Sequence, residues 1–279
     1  MNSICAGIVM FNPDIERLRE NVLAIAGQVD RVILVDNGSD NISEIKTFLH
    51  RTEDSRIQLF QFDENKGIAC ALNRICTEAA DQAYRWVVTL DQDSVCPSHL
   101  VREFSKYIPM DDVALICPVI KDRNREGSGK TEPLHGFKEV DRCITSGSML
   151  SLSDWRMIGG FDESMFIDGV DFDLCIRLRK NGKKIIRVYD VELLHELGNI
   201  KMRKFLFWGV IVKNHSSFRK FYIARNTIYL ARKNKSSMLK ARLQIIKQLL
   251  ICLLYEKDKR NKCREILKGA REGSVCAIT

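Results

Sequence analysis

The chain has 279 residues, 45% of them hydrophobic, with 5 Pro and a formal net charge of +8. That length holds one large domain, or one domain with an appendage, and the apolar content excludes a disordered chain. The charge is uneven: residues 199–279 carry 20 Lys and Arg against 4 Asp and Glu, whereas residues 1–198 carry 24 against 32.

Ile4–Phe11 reads as a strand, and Asn12-Pro13-Asp14 as a turn and helix start. Ile15, Leu18, Val22 and Ile25 have helical spacing over Asp14–Ala26. Arg31–Val35 predicts a short buried strand that stops at Asp36-Asn37-Gly38-Ser39, a strong turn signal. A helix over Ile42–Leu49, a strand over Ile57–Phe62, a helix over Ile68–Ala80 and a strand over Trp86–Leu90 follow. Strands alternating with helices of about 10–15 residues predict parallel βαβ units. Residues 1–93 therefore read as a nucleotide-binding type of α/β half.

The middle is less regular. Val113–Ile120 predicts a strand, Lys121–Glu132 a polar mobile loop, and Cys143–Leu152 a Thr145-Ser146-Gly147-Ser148 segment followed by an apolar stretch. Asp171–Lys180 predicts a helix that packs through Phe172, Cys175, Ile176 and Leu178, and Ile185–Val191 a last strand leading to His195. From Arg203 the pattern predicts basic, amphipathic helix. Leu239, Leu243, Ile246, Leu249, Leu250 and Leu253 recur at helical spacing, with Lys240, Arg242 and Lys247 elsewhere. That apolar face either packs on the rest of the chain or meets an anionic membrane. The ten cysteines form no CxxC pair, so zinc-site spacing is absent, and their apolar settings suit reduced, buried thiols of a cytoplasmic protein. No run of 18 uncharged apolar residues predicts a membrane span. The opening MNSICAGIVMFNPD lacks a charged leader and is expected to be a core strand instead of a signal peptide.

Chemistry-bearing residues cluster where strands end: Asp36-Asn37-Gly38-Ser39, Asn65-Lys66-Gly67 and Asp91-Gln92-Asp93. In a parallel sheet these exits lie along one edge, where ligands of open α/β folds bind. Each alone reads more readily as a plain turn, because Gly, Asn and Asp dominate turns, and their coincidence on one edge raises the functional reading. Asp91 and Asp93 at a strand end invite a hard divalent cation, because Mg²⁺ binds through one or two carboxylates plus substrate phosphates. Asp36 with its neighbouring amide could read a base edge or a ribose hydroxyl. Lys66 and the following helix N-terminus could favour a diphosphate. Asp168, Asp171 and Asp173 open a helix, and three acids within six residues exceed what capping needs. One of them could serve as a general base. Arg177 lies four residues after Asp173 and pairs with it on a helix. His195 is either a structural histidine or a ligand to a divalent ion or phosphate.

Taken in order, these segments resemble family 2 glycosyltransferases of the GT-A fold. The resemblance rests on Phe11-Asn12-Pro13, Val35-Asp36-Asn37-Gly38-Ser39, Asn65-Lys66-Gly67-Ile68-Ala69 with Asn73, the DxD-type Asp91-Gln92-Asp93, Thr145-Ser146-Gly147-Ser148, Gly159-Gly160-Phe161-Asp162-Glu163, and Val170 to Arg177. It covers roughly residues 4–198. A narrower likeness adds Phe166-Ile167-Asp168, His195 with Gly198, His215–Arg219, Tyr222 and Arg225-Asn226. These are similar to bacterial rhamnosyltransferases that build O-antigen or capsular polysaccharide from dTDP-L-rhamnose.

The resemblance implies an α/β GT-A fold with a mainly parallel central sheet flanked by helices and a basic helical C-terminal extension. Residues 1–200 would be the catalytic domain, with 1–93 its nucleotide-binding half and 94–200 its acceptor half, and 201–279 the extension. It implies an inverting, metal-dependent transfer of a sugar to a lipid-linked saccharide hydroxyl. Asp171 would be the base, although Val170 stands where a Glu is commoner; the rhamnosyltransferase-like subgroup also tends to have Val there. The donor-nucleotide candidates are Asn12, Asp36, Asn37, Ser39, Asn65, Lys66, Gly67, Asn73 and Asp91. Asp93, Asp91 and His195 are the metal candidates, for Mg²⁺ or Mn²⁺. Ser146, Gly147, Asp168, Asp173, Arg177 and Arg225 are acceptor-side or structural candidates. The protein would be cytoplasmic and peripheral on the inner face of the cytoplasmic membrane.

Other classes fit less well. A nucleic-acid-binding protein would use the basic region, but the chain lacks an aromatic-basic surface motif and the acidic strand exits would go unexplained. A nucleotidyltransferase should carry a Gly-rich, basic loop after its first strand, where this chain has Asn12-Pro13.

Overall fold

The computed structural model describes residues 3–122, 135–195, 201–205 and 208–278. The chain divides into two compact units. One comprises Met1–Glu163 with Asp171–Glu196, the other Ser164–Val170 with Leu197–Thr279.

The first unit is built on an eight-stranded sheet of order β3-β2-β1-β4-β7-β5-β8-β6. Its strands are β1 (Ile4–Met10), β2 (Arg31–Asp36), β3 (Ile57–Gln61), β4 (Trp86–Asp91), β5 (Val113–Asp122), β6 (Phe137–Glu139), β7 (Ser148–Ser151) and β8 (Lys184–His195). β1 is central and pairs in parallel with β2 and β4, and β2 pairs in parallel with β3. Side chains on both faces of β1, β2 and β4 are buried, as near-continuous Val/Ile/Leu runs require. Helices α1 (Ile15–Ala26), α2 (Ile42–Thr52) and α3 (Ile68–Asp81) alternate with these strands, as the periodicity predicts. The Asp14 carboxylate caps α1 by accepting from Arg17 N–H at 3.0 Å.

The second half of the sheet departs from βαβ regularity. β7 runs antiparallel to both β4 and β5, while β5 and β8 are parallel and β6 is antiparallel to β8. Short α4 (Leu100–Ser105) and α5 (Leu152–Met157) and a longer α6 (Val170–Lys180) complete this half. Most of the predicted Lys121–Glu132 loop lies outside the described residues. None of the ten cysteines is disulfide-bonded, and seven are buried as small apolar groups.

The second unit contains a hairpin, β9 (Lys201–Phe205) and β10 (Trp208–Val212), and helices α7 (Ser217–Lys233), α8 (Met238–Tyr255) and α9 (Lys259–Val275). The expectation of helix from Arg203 is corrected here, because helix begins only at Ser217. Aromatic and β-branched residues crowd Phe205–Val212, a composition that favours strands over helix. α7 and α9 approach closely: a Cβ on Gly269 would sit 2.2 Å from the Phe221 carbonyl oxygen, and one on Gly273 equally close to that of Arg225. Ala224, Ile228, Ala231, Ala241, Ile245, Cys252 and Ile266 form the shared core. No helix among the described residues is long and apolar enough to cross a membrane.

A buried ionic group joins the helices of this unit. The Glu256 side chain is wholly inaccessible and accepts from Lys220 Nζ at 2.5 Å and Lys262 Nζ at 3.0 Å. Lys262 also donates to Asn214 Oδ1 at 2.8 Å. Removing the carboxylate would leave two buried ammonium groups without their counter-charge. Glu256→Ala should cost about 3–5 kcal/mol, read as a lower urea midpoint with far-UV circular dichroism following α7–α9.

Candidate active site

The strand-exit segments form a hydrogen-bonded set. Asn12 N–H donates to Ser39 Oγ at 2.7 Å, and Asn12 Oδ1 accepts from Asp40 N–H at 2.7 Å. Asn37 Nδ2 donates to Asn65 Oδ1 at 3.0 Å, Asn37 Oδ1 accepts from Lys66 N–H, and Asn65 Oδ1 also accepts from Gly67 N–H. Asn12, Asn37, Ser39 and Asn65 thus fasten the three loops to one another. The Lys66 ammonium stays exposed, 5.2 Å from the Phe62 ring, beside the N-terminus of α3.

Within this frame Asp36 is fully buried. Its Oδ2 accepts from Ser39 N–H at 3.2 Å, and its Oδ1 has no hydrogen-bond partner among the described residues. A buried carboxylate oxygen left unsatisfied is costly, so such an atom marks a place for an external donor.

Asn73, expected at the donor nucleotide, has another job. Its Nδ2 donates to the Phe161 carbonyl and to Glu163 Oε1, and its Oδ1 accepts from Trp155 Nε1–H and Phe161 N–H. Both amide protons and both acceptor positions are engaged, which leaves nothing for a ligand. In this structure Asn73 tethers the Gly159–Glu163 segment.

Asp91 ends β4. Its carbonyl accepts from the buried Asn21 Nδ2 at 2.6 Å and from Ser94 N–H, and its N–H donates to Ser146 Oγ at 3.1 Å. Gln92 Oε1 accepts from Phe11 N–H, tying this turn to the end of β1. The Asp93 carboxylate has no hydrogen bond or ion pair among the described residues. No cluster of three or more His, Cys, Asp or Glu suited to a metal occurs among them either. Two carboxylates at one strand end would have to share a hard divalent ion with water and ligand oxygens, since such ions bind through one or two carboxylates plus substrate phosphates. His195 ends β8, and its side chain lies outside the described residues.

The Thr145-Ser146-Gly147-Ser148 turn links this edge to the expected base. Thr145 Oγ1 donates to Asp171 Oδ1 at 2.9 Å, and its carbonyl accepts from Thr89 Oγ1 at 2.7 Å. Ser146 Oγ accepts from Asp91 N–H and donates to Ser94 Oγ at 2.8 Å. Gly147 has φ +74° and donates its N–H to the Thr89 carbonyl. A Cβ there would also meet Leu193 Cδ2 at 2.6 Å, so glycine is required twice over. Asp171 lies in the first turn of α6, the favourable end of the helix dipole for a carboxylate. Asp173 is fully buried and pairs with Arg177 at 2.6 Å, and Arg177 also donates to the Ile158 carbonyl. That pair anchors α6. Beside Phe172, a cavity of about 230 Å³ is lined by Cys117, Ile120, Arg142, Ile144 and Arg187.

In the second unit, the Ser164–Val170 segment that runs into Asp171 is clamped to α7. Asn226 Nδ2 donates to the carbonyls of Met165, Ile167 and Asp168 at 2.7–2.8 Å. Arg219 forks both oxygens of Asp168, and Phe166 stacks on Tyr222 at 5.0 Å. Phe166 and Asp168 both have positive φ, 56° and 65°, strain that persists only where surroundings hold it. Arg225 donates to the Ser164 carbonyl, Asn226 Oδ1 and Glu272, a structural role.

Sequence reasoning did not find Thr145 as the partner of Asp171, nor Asn21. Asn21 had a signal, a polar residue on the Leu18-Val22-Ile25 core face of α1. Thr145 had none beyond its place in the turn.

A sequence model of glycosyl transferase family 2 matches residues 5–171. The dTDP-rhamnosyl transferase RfbF of Shigella flexneri is 26% identical over 284 residues, covering 96% of this chain and 93% of that protein. Among solved structures, GalNAc-T7 with UDP, GalNAc and Mn²⁺ superposes with a TM-score of 0.65 at 12% identity, over all of this chain. This chain spans only 55% of that one. TarS of S. aureus in complex with UDP-GlcNAc gives 0.63 at 12% identity, covering 98% of this chain and 81% of its own. The mannosyltransferase PcManGT of Pyrobaculum calidifontis, with GDP-Man and Mn²⁺, gives 0.60 at 13%, covering 97% and 86%. At such identities the structural likeness establishes the GT-A fold alone.

His215, just before α7, supplies a pH test of the clamp. Burial first, then the Arg219 guanidinium, pushes its imidazole down to about 4. With the folded pKa below the ordinary histidine value, the neutral form is favoured. The stabilisation is full above pH ~6.5 and is lost as pH falls toward ~4. His215→Asn should flatten the loss of stability between those pH values, and an NMR titration of His215 should have its midpoint near the lower one.

Proposed function

Because the chain belongs to glycosyl transferase family 2 and is a glycosyltransferase, we propose that it is an inverting rhamnosyltransferase. It moves L-rhamnose from dTDP-L-rhamnose to a hydroxyl of a lipid-linked saccharide in cell-surface polysaccharide synthesis. The observation that carries this reading is the single turn that touches both ends of the chemistry, Asp91 through Ser146 and Asp171 through Thr145. The rhamnose donor is supported by the likeness to RfbF over nearly the whole of both chains.

On this reading residues 1–200 are the catalytic domain, 1–93 its nucleotide half and 94–200 its acceptor half, with 201–279 the basic extension. The unsatisfied Asp36 oxygen accepts the ring N–H of the thymine base, and Lys66 with the N-terminus of α3 faces the diphosphate. Asp93 with Asp91 would hold Mg²⁺ or Mn²⁺ against the diphosphate, and the bound ion would neutralise charge on the leaving group. The Asp171 carboxylate takes the proton of the acceptor hydroxyl as its oxygen bonds to the anomeric carbon and the bond to diphosphate breaks. Thr145, donating to Oδ1, fixes the carboxylate plane for that transfer. Phe172 and the cavity beside it lie next to the base in the chain and offer the acceptor an apolar floor with Arg142 and Arg187 at its wall. A lipid-linked acceptor places the enzyme peripherally on the inner face of the cytoplasmic membrane.

Asp171→Asn should keep donor affinity while transfer falls by about 10²–10⁴-fold. Thr145→Val should lower kcat by about 10–100-fold through loss of a hydrogen bond to a charged group, with Thr145→Ser retaining most activity. Near wild-type transfer by Asp171→Asn would remove it as base.

The donor is tested by thermal shift with dTDP, UDP and GDP, each with and without Mg²⁺ or Mn²⁺. A ligand at about 100 times its Kd adds roughly 2.7 kcal/mol, several degrees for a protein of this size. A metal-dependent shift with dTDP is expected. A shift with UDP or GDP alone would keep the transferase and discard rhamnose as donor.

A further inference from the structure

α8 carries two apolar faces. Ala241, Ile245 and Cys252 are buried against α7 and α9, with Met238 and Leu249 partly so. A second row is left uncovered: Leu239, Leu243, Ile246, Leu250, Leu253 and Leu254 are each between 51% and 69% exposed. At 3.6 residues per turn these six fall within an arc of roughly 100°, running about 20 Å along the helix. Six large aliphatic side chains in one row are a contiguous patch of the kind that marks an interaction surface, unlike scattered exposed leucines.

The charges beside the row decide what covers it. Arg242 borders it on one side and Lys240 and Lys247 on the other, and α8 contains no Asp or Glu. Long basic side chains at the margins of an apolar stripe can lay their stems along it and reach upward with the charge. A second copy of the chain, paired through the same row, would bring like charges together with no acid on the helix to answer them. An anionic bilayer answers them with lipid phosphates, while its acyl region receives the aliphatic row. The three charges within the helix also favour lying in the interface over crossing it.

We infer that α8 is an interfacial helix that docks the protein on an anionic lipid bilayer, with the Leu239–Leu254 row immersed and Lys240, Arg242 and Lys247 at the headgroups. This deepens the lipid-linked-acceptor reading, which makes such a location useful, but it stands on the geometry and charge of α8. The second unit would then hold the enzyme at the surface that presents its acceptor.

The test is vesicle flotation of the full-length protein, using phosphatidylglycerol–phosphatidylcholine vesicles against phosphatidylcholine alone, at low and high salt. The wild type should float with the anionic vesicles and be partly released by salt. Leu243→Glu with Leu250→Glu, both at exposed positions, should weaken binding by about tenfold or more, since apolar insertion and charge attraction are both reduced. Lys240→Gln, Arg242→Gln and Lys247→Gln together should weaken binding and diminish its salt dependence. All variants should keep the far-UV circular dichroism and the ligand-free Tm of the wild type, which shows them folded. Failure of the wild type to float, or equal flotation of the double Glu variant, overturns the inference. So does a wild-type dimer in light scattering that the double Glu variant dissolves. The nucleotide panel reports on the donor reading separately, so either proposal can fail while the other stands.

Discussion

Asp91 and Asp171 are far apart in the chain, and a four-residue turn relates them. Ser146 accepts from the Asp91 N–H, Thr145 donates to the Asp171 carboxylate, and Gly147 lets the chain reverse tightly enough to do both. A proposed metal-diphosphate site and a proposed base are useful only at fixed separation, because an error of an ångström costs orders of magnitude in rate. The turn is itself held from below, where Thr89 bonds the carbonyl of Thr145 and receives the N–H of Gly147. Thr89, the polar break in the apolar run of β4, is thus the hidden support of the site.

The position of this turn follows from strand direction. β7 runs antiparallel to β4, with Thr89 opposite Ser148, so the start of β7 lies where β4 ends. Had the sheet continued as parallel βαβ units, the segment before the next strand would have opened at the opposite edge. The reversal brings a loop from the second half of the unit onto the carboxylates of the first. Between β7 and β8 in the sheet, β5 contributes Cys117 and Ile120 to the lining of the cavity beside Phe172.

What could be read beforehand follows from how local each feature is. The first four strands and three helices are written in periodicity, because each buries its own apolar face. The reversal at β7 is not, since Ser148–Ser151 has the same apolar character in either direction. The β9–β10 hairpin was masked by the basic composition around it. Among candidate site residues, Asp36, Asp91, Asp93 and Asp171 are legible as acids at element ends. The roles of the amides were not. Asn37, Asn65 and Asn73 look alike in sequence, and only their partners reveal that they fasten loops. Asn226 is the clearest case: three carbonyls converge on one amide because Phe166 and Asp168 adopt left-handed backbone, which no pattern of side chains announces.

The division of charge gives the arrangement a physical logic. The strand-exit edge gathers Asp36, Asp91 and Asp93, with Asp171 tied to it through Thr145, in the part of the chain that is net acidic. Lys66 is the cation among the donor-side candidates on that edge. A diphosphate brought there alone would meet more carboxylates than cations, and binding would be opposed by like charge. On the proposed reading, a divalent ion held by Asp91 and Asp93 would reverse the sign of that contact, and an acidic edge could then serve an anionic donor. The chain's surplus of basic residues lies in the 199–279 region instead. On α8, Lys240, Arg242 and Lys247 with no acid among them leave that surplus of positive charge to an anionic surface of its own.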